Sequence, residues 1–281
     1  MRIDTHQHFW KYNRRDYVWM TSGMDKLRRD YLPTDLSPLI NAAGIVGTVA
    51  VQARQSLEET SWLLQLADDY PFVRAVIGWV DLCSEQVIDQ LELFAQHPRF
   101  RGVRHVVHDE LDDDFMLRTD FLHGLSLLSR FGLTYDLLLF PRHLPVACEV
   151  AERFPDQLFV LDHIAKPLVR TEQTEPWASY LQRLARYSNV ACKISGLVTE
   201  SDWDSWKTED FTPYLDIVLN AFGPQRLMIG SDWPVCTLAG EYQSVIHLAE
   251  EYLLKLSGDE QRAIWATNPM SFYGLQYSWE P

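Results

Sequence analysis

Short apolar segments alternate along the chain with stretches that are apolar on one side only. The apolar segments are rich in Val, Ile and Leu and have the length of buried β-strands. We predict eight strands, at residues 3–9, 46–52, 75–80, 102–107, 134–139, 159–163, 191–195 and 227–231. Helical periodicity occurs between them, as at residues 58–69, 84–96, 121–130, 144–154, 177–187 and 211–222. Strands that alternate with helices are typical of parallel βαβ units, so the pattern predicts an α/β fold.

Eight such units can form an open sheet or a closed barrel. The chain has 281 residues, close to the roughly 250 residues of a typical (β/α)8 TIM barrel. Open doubly wound sheets often carry a G-x-G-x-x-G phosphate turn after an early strand, and this chain has none. No linker, low-complexity tract or internal repeat divides the chain. We therefore predict one TIM-barrel domain over residues 1–281, in which strand 3–9 lies beside strand 227–231.

Composition and charge narrow the classes of function. With 47% hydrophobic and 23% charged residues, the chain has the composition of a globular enzyme rather than of a disordered protein. Its formal net charge of −14 would repel nucleic acids and anionic membranes, so we expect neither as a partner. The chain starts Met-Arg-Ile-Asp without an apolar leader and has no run of about 18 apolar residues, which predicts a cytoplasmic protein. The four cysteines are widely spaced and are expected to be reduced.

Two histidines near the start of the chain are the strongest sign of chemistry. His6 and His8 lie two residues apart on the first predicted strand, which places both imidazoles on one side. Closure of a barrel would bring Asp232, after strand eight, close to them, and His163 ends strand six at the same rim. These four residues are therefore predicted to bind one divalent metal, zinc or manganese. Alternatively, Asp232 caps the segment that follows it and His163 is a core residue.

Other polar and aromatic residues lie at or near the predicted strand ends. Arg104 is our candidate for stabilising an oxyanion, because a charged group inside a barrel strand requires a polar site. His105 and Lys193 are alternatives for that role and also candidate substrate contacts, and an outward salt bridge is the other interpretation of Arg104. The remaining candidates for substrate contact offer hydrogen bonds or a flat ring surface: Gln52, Arg54, Trp79, Asp136 and Trp233.

Two long segments, residues 10–43 and 199–210, lie outside the predicted strands. Loops as long as the first are usually functional or hold small helices, so we expect it to cover the site. The second carries Trp203 and Trp206 among acidic residues. It is predicted to be either a lid or a solvated helix face.

Three motifs together resemble the amidohydrolase superfamily. They are Asp4-Thr-His-Gln-His, Leu161-Asp-His-Ile-Ala-Lys-Pro and Ile229-Gly-Ser-Asp-Trp-Pro. Within that superfamily, three further segments are similar to its sugar-lactone hydrolase branch: Gly102-Val-Arg-His, Ala191-Cys-Lys-Ile-Ser-Gly-Leu and the stretch from Asn268-Pro through Tyr273. The similarity extends from about residue 2 to residue 275.

The resemblance implies a TIM barrel that hydrolyses a sugar lactone such as L-fucono-1,5-lactone. Asp232 would activate water as the base, with His163 and Arg104 as further catalytic residues. Many superfamily members bridge two metals with a carboxylated lysine on strand four or five, but strands 102–107 and 134–139 contain no lysine. We therefore expect one divalent metal or none, and no organic cofactor.

Three other functions stay open on the sequence. The same scaffold is used by 2-pyrone-4,6-dicarboxylate lactonases and by non-oxidative decarboxylases, and a silent metabolite-binding barrel is the non-enzyme alternative. The chain has no Gly-x-Ser-x-Gly, His-Glu-x-x-His or Walker motif, which argues against serine hydrolases, zincins and nucleotide-driven enzymes. Since Arg54 and Arg104 are the only obvious strand-end arginines, we expect a neutral sugar lactone rather than a dicarboxylate. The oligomeric state is left open.

Overall fold

Eight parallel strands form the centre of the molecule in a computed structural model that describes residues 1–275. In chain order they are β1 Ile3–Gln7, β2 Gly47–Val51, β3 Val73–Gly78, β4 Phe100–His105, β5 Thr134–Leu137, β6 Phe159–Leu161, β7 Val190–Ile194 and β8 Leu227–Ile229. Each strand pairs with the next one along the chain. The backbone N–H of Asp232 donates to the His6 carbonyl over 2.8 Å, and that of His8 donates to the Trp233 carbonyl over 2.7 Å. These bonds join β1 to the segment after β8 and confirm the predicted (β/α)8 barrel.

Helices follow the strands around the barrel. They are α1 Pro33–Ala42, α2 Leu57–Asp69, α3 Val87–Ala95, α4 Thr119–Leu127, α5 Leu144–Arg153, α6 Trp177–Leu184, α7 Thr208–Phe222, α8 Tyr242–Leu253, α9 Gly258–Arg262 and α10 Asn268–Phe272. The six helices predicted from periodicity are α2 to α7, with ends shifted by a few residues. Within residues 1–275, no helix is long and apolar enough to cross a membrane.

The turn after β2 shows how local sequence begins a helix at the rim of the barrel. The Ser56 side chain accepts a hydrogen bond from the Glu59 backbone N–H over 3.2 Å, which caps α2. The buried Glu59 carboxylate in turn accepts hydrogen bonds from the backbone N–H groups of Ala53 and Arg54, each over 2.9 Å. The turn that carries Arg54 is therefore fixed to the start of α2.

All eight strands end one or two residues earlier than predicted, and the ends of β6 and β8 shape the rim of the barrel. The segment predicted as 159–163 leaves the sheet after Leu161, because the next residues form a tight left-handed turn. Within that turn His163, Ile164, Ala165 and Lys166 have positive φ angles of 53°, 48°, 61° and 50°. Non-glycine residues in this conformation are strained by roughly 1–2 kcal/mol each. His163 is thus held by a left-handed turn and not by a strand.

The segment after β8 bends in the same manner. β8 ends at Ile229, before the predicted residue 231, and Asp232 has φ 58°. At Gly230 a Cβ atom would lie 2.5 Å from the Cβ of His6. The absence of a side chain there allows the end of β8 to approach β1 closely enough to close the barrel.

Two apolar regions stabilise the fold. The larger lies between the strands and the surrounding helices. The smaller fills the inside of the barrel, and we call it the inner apolar cluster. Its members are Val49, Val51, Ala75, Ile77, Val160, Ala191, Met228 and Tyr273.

Candidate active site

A cavity of about 540 Å³ opens at the carboxyl ends of the strands. His8, Arg104, His163 and Asp232 contribute to its lining, together with loops that follow several strands. The barrel thus brings together, around one cavity, residues that are far apart in the sequence. This is the end at which TIM-barrel enzymes carry their active sites.

Two histidines and a carboxylate converge at this cavity. The Nε2 atoms of His6 and His8 are 3.2 Å apart. The Oδ1 atom of Asp232 lies 3.3 Å from His8 Nε2 and 3.8 Å from His6 Nε2. Donors around a tetrahedral ion with bonds of 2.0–2.1 Å are about 3.3 Å apart, so this donor group fits a zinc-sized cation.

The hydrogen bonds behind the two imidazoles test this interpretation. His8 Nδ1 lies 2.8 Å from the Val51 carbonyl oxygen, which can only accept, so Nδ1 carries the proton and Nε2 keeps a lone pair. His6 Nδ1 lies 3.3 Å from the Asp162 carboxylate, which favours the same tautomer for His6. Arg104 Nη1, which can only donate, lies 3.3 Å from His6 Nε2 and likewise favours a lone pair on that nitrogen. Two lone pairs and a carboxylate thus converge on one point, an arrangement that a divalent cation can occupy. The donor set therefore fits a divalent metal.

His163 lies at the edge of the donor group. Its Nε2 atom is 4.0 Å from Asp232 Oδ1, and its ring is 4.4 Å from that of His6. The Ser195 hydroxyl is 2.9 Å from His163 Nδ1. At Gly196, which has φ 62°, a Cβ would lie 2.5 Å from that same nitrogen, so this approach requires glycine. The structure therefore places His163 beside Asp232, and its role as a fourth ligand stays a prediction.

Burial and neighbouring charges act on the titrating groups of the site. Burial lowers the pKa of His6 and of His163 well below the ordinary value, so both are neutral near pH 7. Burial raises the pKa of Asp232, but the charge interaction with His163 and the contact with His8 outweigh it, and the pKa is lowered overall. Neutral imidazoles and an ionised carboxylate are the forms that bind a metal or accept a proton from water.

A family model described as amidohydrolase matches residues 3–275 of the chain. The chain belongs to the amidohydrolase family. It is 41% identical over 286 residues to a protein of Burkholderia multivorans named L-fucono-1,5-lactonase, a match that covers 98% of this chain and 96% of the relative. A protein of Burkholderia ambifaria with the same name is 38% identical over 280 residues, with coverage of 98% and 96%. A crystal structure of an amidohydrolase from Burkholderia multivorans with bound zinc is 40% identical, has a TM-score of 0.94 and is matched over 98% of this chain and 100% of that chain.

Arg104 belongs to a set of four charged side chains inside the barrel of this amidohydrolase. We call Arg104, Asp136, Asp162 and Lys193 the buried ion-pair cluster. Asp162 Oδ2 accepts a hydrogen bond from Arg104 Nη1 over 3.0 Å, and Asp162 Oδ1 lies 3.0 Å from Lys193 Nζ. Burial raises the pKa of Asp162, yet Lys193, His6 and Arg104 together hold it well below its usual range. The alternative interpretation of Arg104, an outward salt bridge to a helix, is wrong, because its carboxylate partner Asp162 lies inside the barrel.

The buried ion-pair cluster also bears on the number of metals. His6, Asp162 and His163 form a second group with the spacing of metal ligands. Its carboxylate, however, already has the ammonium of Lys193 and the guanidinium of Arg104 as partners, each at 3.0 Å. Two protein cations beside this group disfavour a second metal ion there, which supports the expectation of one metal at most.

Most of the predicted substrate contacts do not line the cavity. Of the seven, Arg54 does, as does Arg104, which was predicted as a catalytic residue. Gln52 instead donates to the Arg104 carbonyl, and Trp233 packs against Phe9 and Tyr31. The other four are bonded to protein partners in three pairs, at distances of 2.6 to 3.3 Å. These are the pairs Trp79 with His105, His105 with Glu110, and Asp136 with Lys193. In this structure these six side chains support the site from behind the cavity wall.

The loops supply cavity residues that strand patterns did not indicate. Residues 10–43 contribute Asp16, Val18, Trp19 and Met24 to the lining. Trp203 lines it from the segment 199–210, with its indole N–H bonded to the Thr199 carbonyl over 2.9 Å. Both long segments thus border the site, although neither offers a period that predicts which side chain faces it. Asp162 could have been found from its place in Leu161-Asp-His, beside a predicted ligand.

Proposed function

We propose that this protein is a sugar-lactone hydrolase and that a lactone such as L-fucono-1,5-lactone is its substrate. The observation that carries the proposal is the Asp232 carboxylate group, whose Oδ1 atom lies 3.3 Å from His8 Nε2 on the wall of a cavity large enough for one sugar ring. The names of the two relatives that match nearly the whole chain point to the same reaction. The charge of the cavity supports this substrate class over the alternatives.

Asp232 is the base in this proposal. Its lowered pKa keeps it ionised near pH 7, so it can take a proton from water as the oxygen attacks the lactone carbonyl. The same carboxyl group then returns the proton to the ring oxygen that leaves as an alcohol. Arg104 lines the cavity and is paired with Asp162, which supports its proposed role in stabilising the developing oxyanion. His163 borders Asp232 and orients it.

Zinc is the metal that we propose for His6, His8 and Asp232. Two imidazole nitrogens and one carboxylate are a common catalytic zinc set, and they leave a position for substrate or water. A zinc ion bound there would act as a Lewis acid on the lactone. The relative with bound zinc supports this choice over manganese.

The cavity wall favours a neutral substrate over a dicarboxylate. Arg54 is paired with Asp16, and Lys166 is paired with Glu200, so the charges of both cations are already compensated. A pyrone dicarboxylate would require unpaired cations for its two carboxylates. Apolar side chains complete the wall, and they suit one face of a sugar ring: Val18, Trp19, Met24, Trp203 and Leu238.

A proton-release assay tests the proposal. Purified protein is mixed with a set of aldono-1,5-lactones and aldono-1,4-lactones, with 2-pyrone-4,6-dicarboxylate, and with each of these after chelation. We expect a six-carbon sugar lactone to be hydrolysed fastest and chelation to slow it. Faster turnover of the dicarboxylate, or no turnover of any lactone above the spontaneous rate, would contradict the proposal. The cytoplasmic location, the lack of nucleic-acid and membrane partners and the oligomeric state stay predictions.

A further inference from the structure

Asp136 and Lys193 lie inside the barrel behind the metal donors, and neither lines the cavity. Both are buried, and the Lys193 ammonium donates a hydrogen bond to Asp136 Oδ2 over 2.6 Å. The hydroxyl of Tyr273, which follows α10, donates to the same oxygen over 2.8 Å. A Thr134 hydroxyl lies 3.1 Å from the other oxygen. Asp136 is thus fixed from several sides, although no step of the proposed reaction uses it.

Lys193 also reaches the back of a proposed metal ligand. Its Nζ atom is 3.0 Å from Asp162 Oδ1 and 3.4 Å from His6 Nδ1. The nitrogen His6 Nδ1 therefore has two possible partners, the Asp162 carboxylate at 3.3 Å and the Lys193 ammonium at 3.4 Å. These partners have opposite consequences. If Nδ1 donates to Asp162, then Nε2 keeps the lone pair that a metal needs, and if Nδ1 accepts from Lys193, the ring proton moves to Nε2 and blocks it.

We propose that Asp136 is a positioning residue that holds the Lys193 ammonium away from His6, so that Asp162 fixes the metal-binding tautomer of His6. The inference rests on the proposed metal site. The distances rank the partners of Lys193, since Asp136 is the shortest contact at 2.6 Å and His6 the longest at 3.4 Å. An ammonium is attracted by the full charge of a carboxylate but only by the dipole of a neutral imidazole, which explains why His6 is the longest contact.

Removal of the Asp136 charge alone should change the partner of His6 Nδ1 from Asp162 to Lys193. In Asp136→Asn the side chain keeps its shape, but the ammonium loses its nearest anion and has only Asp162, which Arg104 also uses. Lys193 then moves toward Asp162 and His6 and donates to His6 Nδ1. Removal of Lys193 as well should restore the original state, because Asp162 then faces His6 without a competitor.

Two measurements on the metal-free and metal-loaded protein test this without lactone turnover. The ¹⁵N chemical shifts of the His6 ring report which nitrogen carries the proton, and competition with a chromophoric chelator gives the zinc affinity. In the wild type we expect the proton on Nδ1. In Asp136→Asn we expect it on Nε2, with zinc affinity lower by roughly 10-fold to 100-fold, the usual loss when a partner behind a ligand is removed. In the double variant Asp136→Asn, Lys193→Met we expect the His6 ring proton to return to Nδ1 and the zinc affinity to return toward that of the wild type.

A matched control lies on the outside of the barrel. Asp216 accepts a hydrogen bond from the Tyr252 hydroxyl over 2.9 Å and is paired with Lys255, so it has the same types of partner as Asp136. Asp216→Asn should leave the His6 shifts and the zinc affinity unchanged. A wild-type His6 with its proton on Nε2, or an Asp136→Asn variant with unchanged shifts and affinity, would overturn the proposal. So would weak zinc binding in the double variant, even if the single variant does not fold. A protein that passes these tests but opens no lactone would contradict the proposed reaction and not the positioning role.

Discussion

The barrel interior contains two contrasting groups of side chains, the inner apolar cluster and the buried ion-pair cluster. The apolar Val160 on β6 is followed two residues later by Asp162, and Ala191 on β7 is followed two residues later by Lys193. On β6 and β7, one step toward the carboxyl end of the strand therefore changes the interior from apolar to charged. The apolar side chains gain roughly 25 cal/mol per Å² on burial, whereas each buried charge must be compensated by a partner.

This difference indicates that the two groups serve different purposes. The inner apolar cluster stabilises the barrel, and the ion pairs with the adjacent metal donors form the site at the expense of desolvation. Substitutions in the first group should lower stability and spare turnover per folded molecule. Substitutions at the site should lower turnover and change stability less.

The largest effect is expected for Asp232→Asn. The amide keeps the shape of the side chain but cannot take a proton from water, so lactone turnover should fall by at least roughly 10²-fold. Since the Asp232 side chain caps no helix within residues 1–275 and Asn keeps its shape, the melting temperature of the metal-free protein should change little. Proton release and a thermal melt measure the two quantities, with Asp216→Asn as the control. Near-normal turnover would end the assignment of Asp232 as the base.

The opposite pattern is expected for Ile77→Ala in the inner apolar cluster. Ile77 is fully buried, and its truncation leaves a cavity, so the free energy of unfolding should fall by about 3 kcal/mol. The kcat per folded molecule should stay close to that of the wild type. Urea denaturation measures the free energy of unfolding, and turnover divided by the concentration of titrated active sites gives the kcat. A loss of kcat without a loss of stability would show that the two groups are not separable.

Metal removal should lower both lactone turnover and stability, because the proposed metal is bound by His6, His8 and Asp232. Zinc that binds only the folded state at about 100 times its dissociation constant adds about 2.7 kcal/mol to the free energy of unfolding. We expect chelation to lower the melting temperature, re-addition of zinc to restore it, and metal analysis to give one equivalent. Two equivalents would contradict the argument that Lys193 and Arg104 exclude a second ion.

A pH-dependent effect concerns Glu59, whose carboxyl group is buried. Asp162 has Arg104 and Lys193 at 3.0 Å, whereas within residues 1–275 Glu59 has no cation as close. Burial raises its pKa to about 7, against hydrogen bonds from Arg54 and Ala53. Because the pKa of Glu59 is higher in the folded than in the unfolded state, the folded protein binds more protons between these two values. The free energy of unfolding therefore falls as pH rises from about 4.5 through about 7. The loss is on the order of 3 kcal/mol.

Urea denaturation of the wild type and Glu59→Gln near pH 5 and near pH 8 measures this contribution. The variant cannot ionise, so its stability relative to the wild type should rise with pH. A difference between the two proteins that is equal at both pH values would show that partners and not burial decide the state of Glu59.

The alternation of apolar strands and amphipathic helices is sufficient to predict the barrel, because strand and helix periods are local properties of the sequence. Barrel closure then follows from chain order, and it predicts that His6, His8 and Asp232 lie together at one rim. The motif around Asp232 further indicates the amidohydrolase family. The six predicted helices α2 to α7 are present for the same local reason.

The tertiary structure alone decided which side of each strand faces the interior. Barrel strands are buried on both faces, so their apolar runs contain no alternation that distinguishes inside from outside. For that reason Asp136 and Lys193 were predicted to touch substrate, whereas they bind each other behind the cavity wall. The left-handed turn at His163 and the cavity contacts of Trp19 and Trp203 likewise depend on packing between loops distant in sequence. Local pattern determined the elements, and long-range contacts determined the partners of each polar side chain.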